Sequence, residues 1–436
     1  MKRLLVGLVA AALLVLAPSA AATPGDPYAP QYYFDQWHVH QLWAQGARGQ
    51  GVTIAEIDTG VDASLGVFAG RVLPGTDFGR LGGDGRTDRD RDAYGHGTSM
   101  ASIMVGRPGR FGIQGLAPDA RLIPVAIPLA GTTDASADDR LPEAIRWAAD
   151  HGAKVISMSL GGVRRRAQDR TACPDDEQQA IFHALRKGAI LIAAGGNRGA
   201  GDDAVEEPGV CLGVVSVGAV DKSGTVAPFS SRHRYLTLAA PGVDIASIGP
   251  QGAPFSGDGT SQATAVASAA AALVWSKYPQ LSGAQVVARM LATVDPRADR
   301  SAYGYGVLDA HRAVTAAVPI SAPDPVAALA RPFLRASAAG ARPAAAPRPV
   351  VHASRPPGSF AIGSAPRLFA PRVLVGAAIA AGGLVLLLVL LVVGLVARHR
   401  RRVAAAHSPP WSPLPPSASG QLRTEWSPID DHSRHK

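Results

Sequence analysis

The chain has 436 residues, 47% of them hydrophobic and 18% charged, with 43 Lys and Arg against 34 Asp and Glu for a formal charge of +9. That hydrophobic content excludes a disordered chain and suits a large buried core plus membrane segments. The basic balance does not mark a nucleic-acid binder, because the Arg residues are scattered or sit beside an apolar run near the C-terminus, and no stacking aromatics accompany them.

At the N-terminus, Lys2-Arg3, the apolar run from Leu4 to Ala17 and the small residues Ala20-Ala21-Ala22 predict a secretory signal peptide over 1–22. Residues 23–36 form a short extension that cannot bury a core of its own. Tyr32, Tyr33 and Phe34 in it are expected to lie against the next domain and brace it without inhibiting it. That domain spans 37–315. Its first strand signal is Val52 to Ile57, rich in β-branched residues and buried on both faces, ending at Asp58. The carboxyl ends of such strands are where open α/β sheets gather ligands and catalytic groups.

His96, between Gly95 and Gly97, opens a small and apolar stretch to Val105 that predicts a buried helix. Ser99 also sits in a nucleophile-like context, Gly97-Thr98-Ser99-Met100-Ala101. It lies on the same helix as His96, whereas a base and its nucleophile usually come from different elements. Val155 to Gly162 reads as a strand whose glycine end, at Ser159, Leu160 and Gly161, lets a substrate backbone lie alongside. A further strand, Ala189 to Ala194, runs into Gly195-Gly196-Asn197, and the Asn197 amide is placed to donate to an oxyanion. Ser261 then opens an Ala-rich helix after Gly259-Thr260, where first-turn N–H groups favour developing negative charge. The order Asp, His, Ser is one of three known chain orders for a serine-hydrolase triad. An aspartic protease also uses Asp-Thr-Gly but needs two such carboxylates, and Asp58 alone has the motif.

Cys173 and Cys211 are the sole cysteines. In an exported chain an isolated pair most simply forms one disulfide, here closing a loop around the Asn197 strand. The acidic groups Asp88/Asp90/Asp92, Asp175-Asp176-Glu177 and Glu206-Glu207 lack a calcium-loop pattern and are expected to be solvated loops, with no metal or cofactor. Residues 316–372 are Ala-, Pro- and Arg-rich and predict an extended stalk. Residues 373–397 are uncharged and mostly aliphatic, long enough to span a bilayer. Arg398, Arg400, Arg401 and Arg402 then place the tail, 398–436, in the cytoplasm.

The stretches "IAEIDTGVD", "DAYGHGTSMASI", "SMSLGG", "AAGGN" and "GTSQATA" resemble the motifs of the subtilases over roughly residues 37–315. The resemblance implies a doubly wound α/β fold with a parallel sheet and endopeptidase activity. It also implies Asp58, His96 and Ser261 as the triad, with Asn197 and the Ser261 amide as oxyanion hole. Gln262 and Ala265 depart from the Met and Pro usual there. The layout of signal, minimal prosegment, cysteine pair, stalk and one membrane helix is similar to the mycosins, the anchored subtilases of type VII secretion in actinobacteria. That layout implies a plasma-membrane enzyme with its catalytic domain outside, protein or peptide substrates and a secretion-complex partner. The alternative is a scaffold that keeps the protease fold.

Overall fold

The computed structural model describes residues 31–79, 82–90, 94–129, 140–163, 173–200 and 205–338, with the backbone of Arg367–Leu368. In chain order the strands are β1 (Thr53–Asp58), β2 (Thr76–Asp77), β3 (Arg121–Ala126), β4 (Val155–Met158), β5 (Gly162–Val163), β6 (Ile190–Ala194), β7 (Glu206–Glu207), β8 (Val214–Val220) and β9 (Leu238–Pro241). Continuous aliphatic runs without polar alternation suit strands covered on both faces. Accordingly a seven-stranded parallel sheet forms in the order β2-β3-β1-β4-β6-β8-β9, while β5 and β7 make a separate antiparallel pair.

The helices that matter for the site are α1 (Tyr32–Gln36), α2 (Val39–Ala44), α3 (His96–Val105), α4 (Leu141–Asp150), α5 (Asp175–Arg186), α6 (Thr260–Lys277) and α7 (Gly283–Ala292). Side chains alternate across β1, so Ala55 and Ile57 join a core with Leu141 and Ile145 of α4 and Ile181 of α5. Ile54 faces the other way, into a core with Met100 and Met104 of α3 and Val266 and Leu273 of α6. Helices thus cover both faces, the α/β architecture expected from the sequence. Helix α6 is buried from Thr260 to Ser276, which its Ala and Ser content permits by letting neighbours approach closely.

The described end of the N-terminal segment packs against the domain. Tyr33 and Phe34 are buried, with Tyr33 5.6 Å from Trp37 and Phe34 5.6 Å from Trp43, ring centre to ring centre. Gln31 Nε2 donates to the Gln114 carbonyl (2.6 Å) and the Gln114 amide donates back to Gln31 Oε1 (3.0 Å). Cys173 and Cys211 are joined in a disulfide that ties the start of α5 to the approach to β8.

One boundary differs from expectation. Residues Pro325–Ala338, assigned to the stalk, form a helix. Asp324 accepts from the amides of Val326 and Ala327 and so caps it, Pro325 suits its first turn, Ala330 is buried and the Phe333 ring stacks 6.2 Å from Phe182 of α5. Ala and Pro content masked an apolar face at 326, 330 and 333. The span 373–397 lies outside the described residues, among which no helix is long and apolar enough to cross a membrane.

Glu56 lies in the middle of β1, 1% exposed, with neither carboxyl oxygen hydrogen-bonded. Alternation points it to the same face as Asp58. Burial, then the charges of Asp58 and Asp88, hold its carboxyl well above the usual range, so it stays protonated.

Two outcomes are expected. Phe34→Ala in the full-length chain should cost about 3–5 kcal/mol of stability, read as a lower Tm, without raising kcat. A gain in kcat would show that the segment inhibits. For Glu56, the unfolded state loses its proton above about pH 4.3 while the folded state keeps it, so stability falls as pH rises from there towards the raised folded value. Thermal melts should show Glu56→Gln gaining stability over wild type as pH goes from 4 to 8. A constant difference across that range would contradict a protonated Glu56.

Candidate active site

Asp58 ends β1, in the middle of the sheet, where the strand stops at the tight turn Asp58-Thr59-Gly60. His96 is the first residue of α3, whose N-terminus is docked on that turn. A methyl group on Gly97 would lie 2.1 Å from the Gly60 carbonyl oxygen, so only glycine allows this approach. The first three amides of α3 all find acceptors there: His96 N donates to Asp90 Oδ2 (3.3 Å), Gly97 N to Thr59 Oγ1 (2.9 Å) and Thr98 N to Asp88 Oδ2 (2.9 Å). Asp88 also accepts from the Thr59 hydroxyl (2.8 Å), the Thr98 hydroxyl (2.5 Å) and the Asp90 amide (2.9 Å). Buried carboxylates at a helix N-terminus complement its dipole.

This docking aims the imidazole. His96 Nδ1 lies 2.8 and 3.0 Å from the two Asp58 oxygens, so its proton sits on Nδ1. Nε2 is buried and has no hydrogen-bond partner. Burial opposes the imidazolium, but Asp58, followed by Asp88 and Asp90, outweighs it and holds His96 above its ordinary value. Burial and the Asp88 charge push Asp90 up to about 6.

Ser261 is in the first turn of α6. Its hydroxyl donates to the Ser159 carbonyl (2.8 Å) and the Ser159 hydroxyl donates to the Ser261 carbonyl (3.0 Å), pinning the helix start to the segment after β4. The serine hydroxyl therefore points to Ser159 in this state and not to His96; free enzymes often form that bond only with substrate bound. Asn197 follows β6 through Gly195-Gly196. Its Oδ1 accepts from the Thr260 amide and hydroxyl, both at 2.9 Å, which fixes the amide plane and leaves Nδ2 as the outward donor. Gln262, at the place of the usual Met, packs on Gly257 and Gly259.

Asp58 and His96 are thus joined where the end of β1 meets the start of α3, and Ser159, Asn197 and the start of α6 with Ser261 are joined at the ends of β4 and β6. Ser99 stays within α3. Asp88 was missed as a site residue. It and Asp90 were expected in a solvated loop, yet both are buried, as are Glu177, Glu206 and Glu207; Asp92 lies outside the described residues. The fold supplies partners that a local acidic pattern cannot reveal: the Thr98 amide and the Thr59 hydroxyl for Asp88, Cys211 Sγ near Glu177 (3.3 Å), Arg198 Nε near Glu206 (3.3 Å). Cys173, Glu177 and Cys211 also cluster in a geometry open to a metal, but both sulfurs are engaged with each other.

A model of the subtilase family matches residues 49–306. Subtilisin DY of Bacillus licheniformis is 34% identical over 275 residues, covering 63% of this chain and 94% of that protein. Among solved structures, the MycP3 protease of the type VII (ESX-3) secretion system aligns with a TM-score of 0.57 at 32% identity, over 67% of this chain and 90% of that one. MycP1 of Mycobacterium smegmatis aligns with a TM-score of 0.56 at 29% identity, over 67% and 86%. With more than half its length matched by the family model, and mycosins among its structural neighbours, the chain belongs to the subtilase family of serine peptidases and is mycosin-like within it.

Proposed function

We propose that the chain is a membrane-anchored, extracytoplasmic serine endopeptidase using Asp58, His96 and Ser261, and that it processes or supports substrates of a type VII secretion system. The observation that supports the catalytic part is the Asp58–His96 hydrogen bond, which leaves the buried Nε2 without a partner and available to a nucleophile. Substrate lies extended along Ser159-Leu160-Gly161. As its carbonyl enters, the Ser261 hydroxyl swings from Ser159 to His96 Nε2 and gives up its proton while Oγ attacks. Asp58 stabilises the imidazolium, and Asn197 Nδ2 with the Ser261 amide holds the oxyanion. The imidazolium then protonates the leaving amine, and water repeats the sequence on the acyl-enzyme. The secretion role rests on the mycosin likeness, and the anchor on the apolar run 373–397 with its flanking arginines.

A fluorophosphonate should label Ser261, and Ser261→Ala should abolish labelling and turnover; wild-type labelling at Ser99 would overturn the assignment. Asn197→Ala should keep some labelling while losing about a hundredfold or more in kcat. Because His96 must be neutral to accept the proton and its ionisation is raised, the acid limb of kcat/KM should fall above pH ~6.5, the ordinary histidine value. A midpoint below that would contradict the electrostatics of the site. External protease on intact cells should cut between 339 and 372 and release a folded, soluble catalytic domain; cutting only after permeabilisation would reverse the topology. Secretion that survives Ser261→Ala but not deletion would favour a scaffold.

A further inference from the structure

Charge is unevenly distributed along the chain. Residues 23–324 hold 31 Asp and Glu against 27 Lys and Arg, whereas residues 325–372 carry seven arginines and no acid. The chain is thus mildly acidic up to residue 324 and basic beyond it, a step that marks a segment facing a polyanion. The Pro325–Ala338 helix is where the basic segment meets the fold. Ala330 is buried and Phe333 stacks on Phe182 of α5, so one face of the helix is fixed to the domain. Leu329, Arg331 and Arg335 are exposed. Arg331 and Arg335 are four residues apart and share a face. Asp324, which feels the charge of Arg331, is buried at the helix start, where it accepts from the Val326 and Ala327 amides. Among the described residues the exposed large hydrophobics are Tyr94, Ile320 and Leu329, and two of these, Ile320 (65% exposed) and Leu329 (64%), belong to this segment.

Exposed arginine together with exposed aliphatic side chains suits the surface of a bilayer. Guanidinium groups hold headgroup phosphates in two-point hydrogen bonds, while Leu and Ile enter the boundary of the acyl chains. An acidic protein surface would engage the arginines but gives Ile320 and Leu329 no apolar surroundings. We infer that this face of the helix docks on the outer surface of the membrane, on anionic phospholipid headgroups. The chain supplies the proximity. The apolar run starts at residue 373, so 34 residues tie the end of the helix to the point where the chain would enter the bilayer. A tether of that length keeps the face at high effective concentration over the headgroups, and five of the seven arginines lie along it. Docking fixes one side of the catalytic domain to the membrane and limits the site to polypeptides presented close to that surface.

Docking rests on the reading of 373–397 as a membrane anchor, and the test keeps the two apart. Both cysteines are joined in the disulfide, so Leu329→Cys offers one thiol for an environment-sensitive fluorophore. The labelled full-length chain is placed in nanodiscs of phosphatidylcholine alone or of an equal mixture with phosphatidylglycerol. In the anionic discs at low salt, emission should shift to the blue and brighten about twofold or more, and it should return to the phosphatidylcholine spectrum at about 0.5 M salt, where surface charges are screened. Arg331→Glu with Arg335→Glu should abolish the shift, while kcat on a short soluble peptide stays within about twofold. Should the labelled variants not fold, elastase cleavage of the wild-type chain between 339 and 372 serves instead: anionic lipid should slow it severalfold at low salt and not at high salt. The same spectrum in both lipids, or a shift that survives the double substitution, overturns the inference. So does a shift produced by polyglutamate and not by anionic lipid, which would assign the face to an acidic protein. A chain that stays out of the discs sinks the anchor and the docking with it. A chain that enters them without a lipid-dependent shift sinks the docking alone.

Discussion

The buried carboxylate of Asp88 is the interaction on which the site depends. It takes hydrogen bonds from Thr59, next to Asp58, and from Thr98, two residues after His96. A strand end and a helix start from separate parts of the chain are thereby clamped to one acceptor. The clamp sets the Asp58 and His96 segments side by side, because Asp88 bonds the Thr59 hydroxyl on one and the Thr98 amide and hydroxyl on the other. Burying such a charge is unfavourable unless it is fully hydrogen-bonded. Here the Thr98 and Asp90 amides and the Thr59 and Thr98 hydroxyls do the bonding, and with Asp90 and Thr59 taking the next amides the α3 N-terminus is itself relieved of unsatisfied donors.

Close approach is the second requirement, and small residues meet it. Gly97 lets α3 touch the Gly60 carbonyl, and the Ala and Ser content of α6 lets a helix buried over seventeen residues run beneath the parallel sheet. Ser268 Oγ of α6 bonds Ser157 Oγ of β4 at 2.9 Å, so even the interior polar groups there pair. Glu56 is not paired. It carries an acid with no hydrogen bond two residues from Asp58, and the fold accommodates it as a neutral group. Negative charge is thus concentrated around one histidine, and the same carboxylates that position His96 also raise its basicity.

Much of the site was legible because its motifs are local. Asp58, His96, Asn197 and Ser261 each sit where a regular element meets glycine, and strand or helix periodicity places them at element ends without reference to the rest of the chain. The acidic segments were not legible in that way. Asp88 and Asp90 alternate with arginines as a surface loop would, and Glu206-Glu207 reads as a charged turn. Their burial depends on partners 10, 29 or 8 residues away, at Thr98, Thr59 and Arg198. The helix at 325–338 was hidden differently, since alanine and proline mark linkers by composition while its anchoring contacts lie on α5 and α7.

The sequence by itself determined the α/β class, the order of the chemistry-bearing residues and the strand and helix ends they occupy, because backbone periodicity and glycine placement are local properties. Only the tertiary structure decided which carboxylates are buried, that Asp88 joins Thr59 to Thr98, that the resting Ser261 hydroxyl turns to Ser159, and that Glu206 faces Gly161 and Gly196. Those outcomes are set by packing between distant segments, where a charge is stable only if the fold brings donors to it.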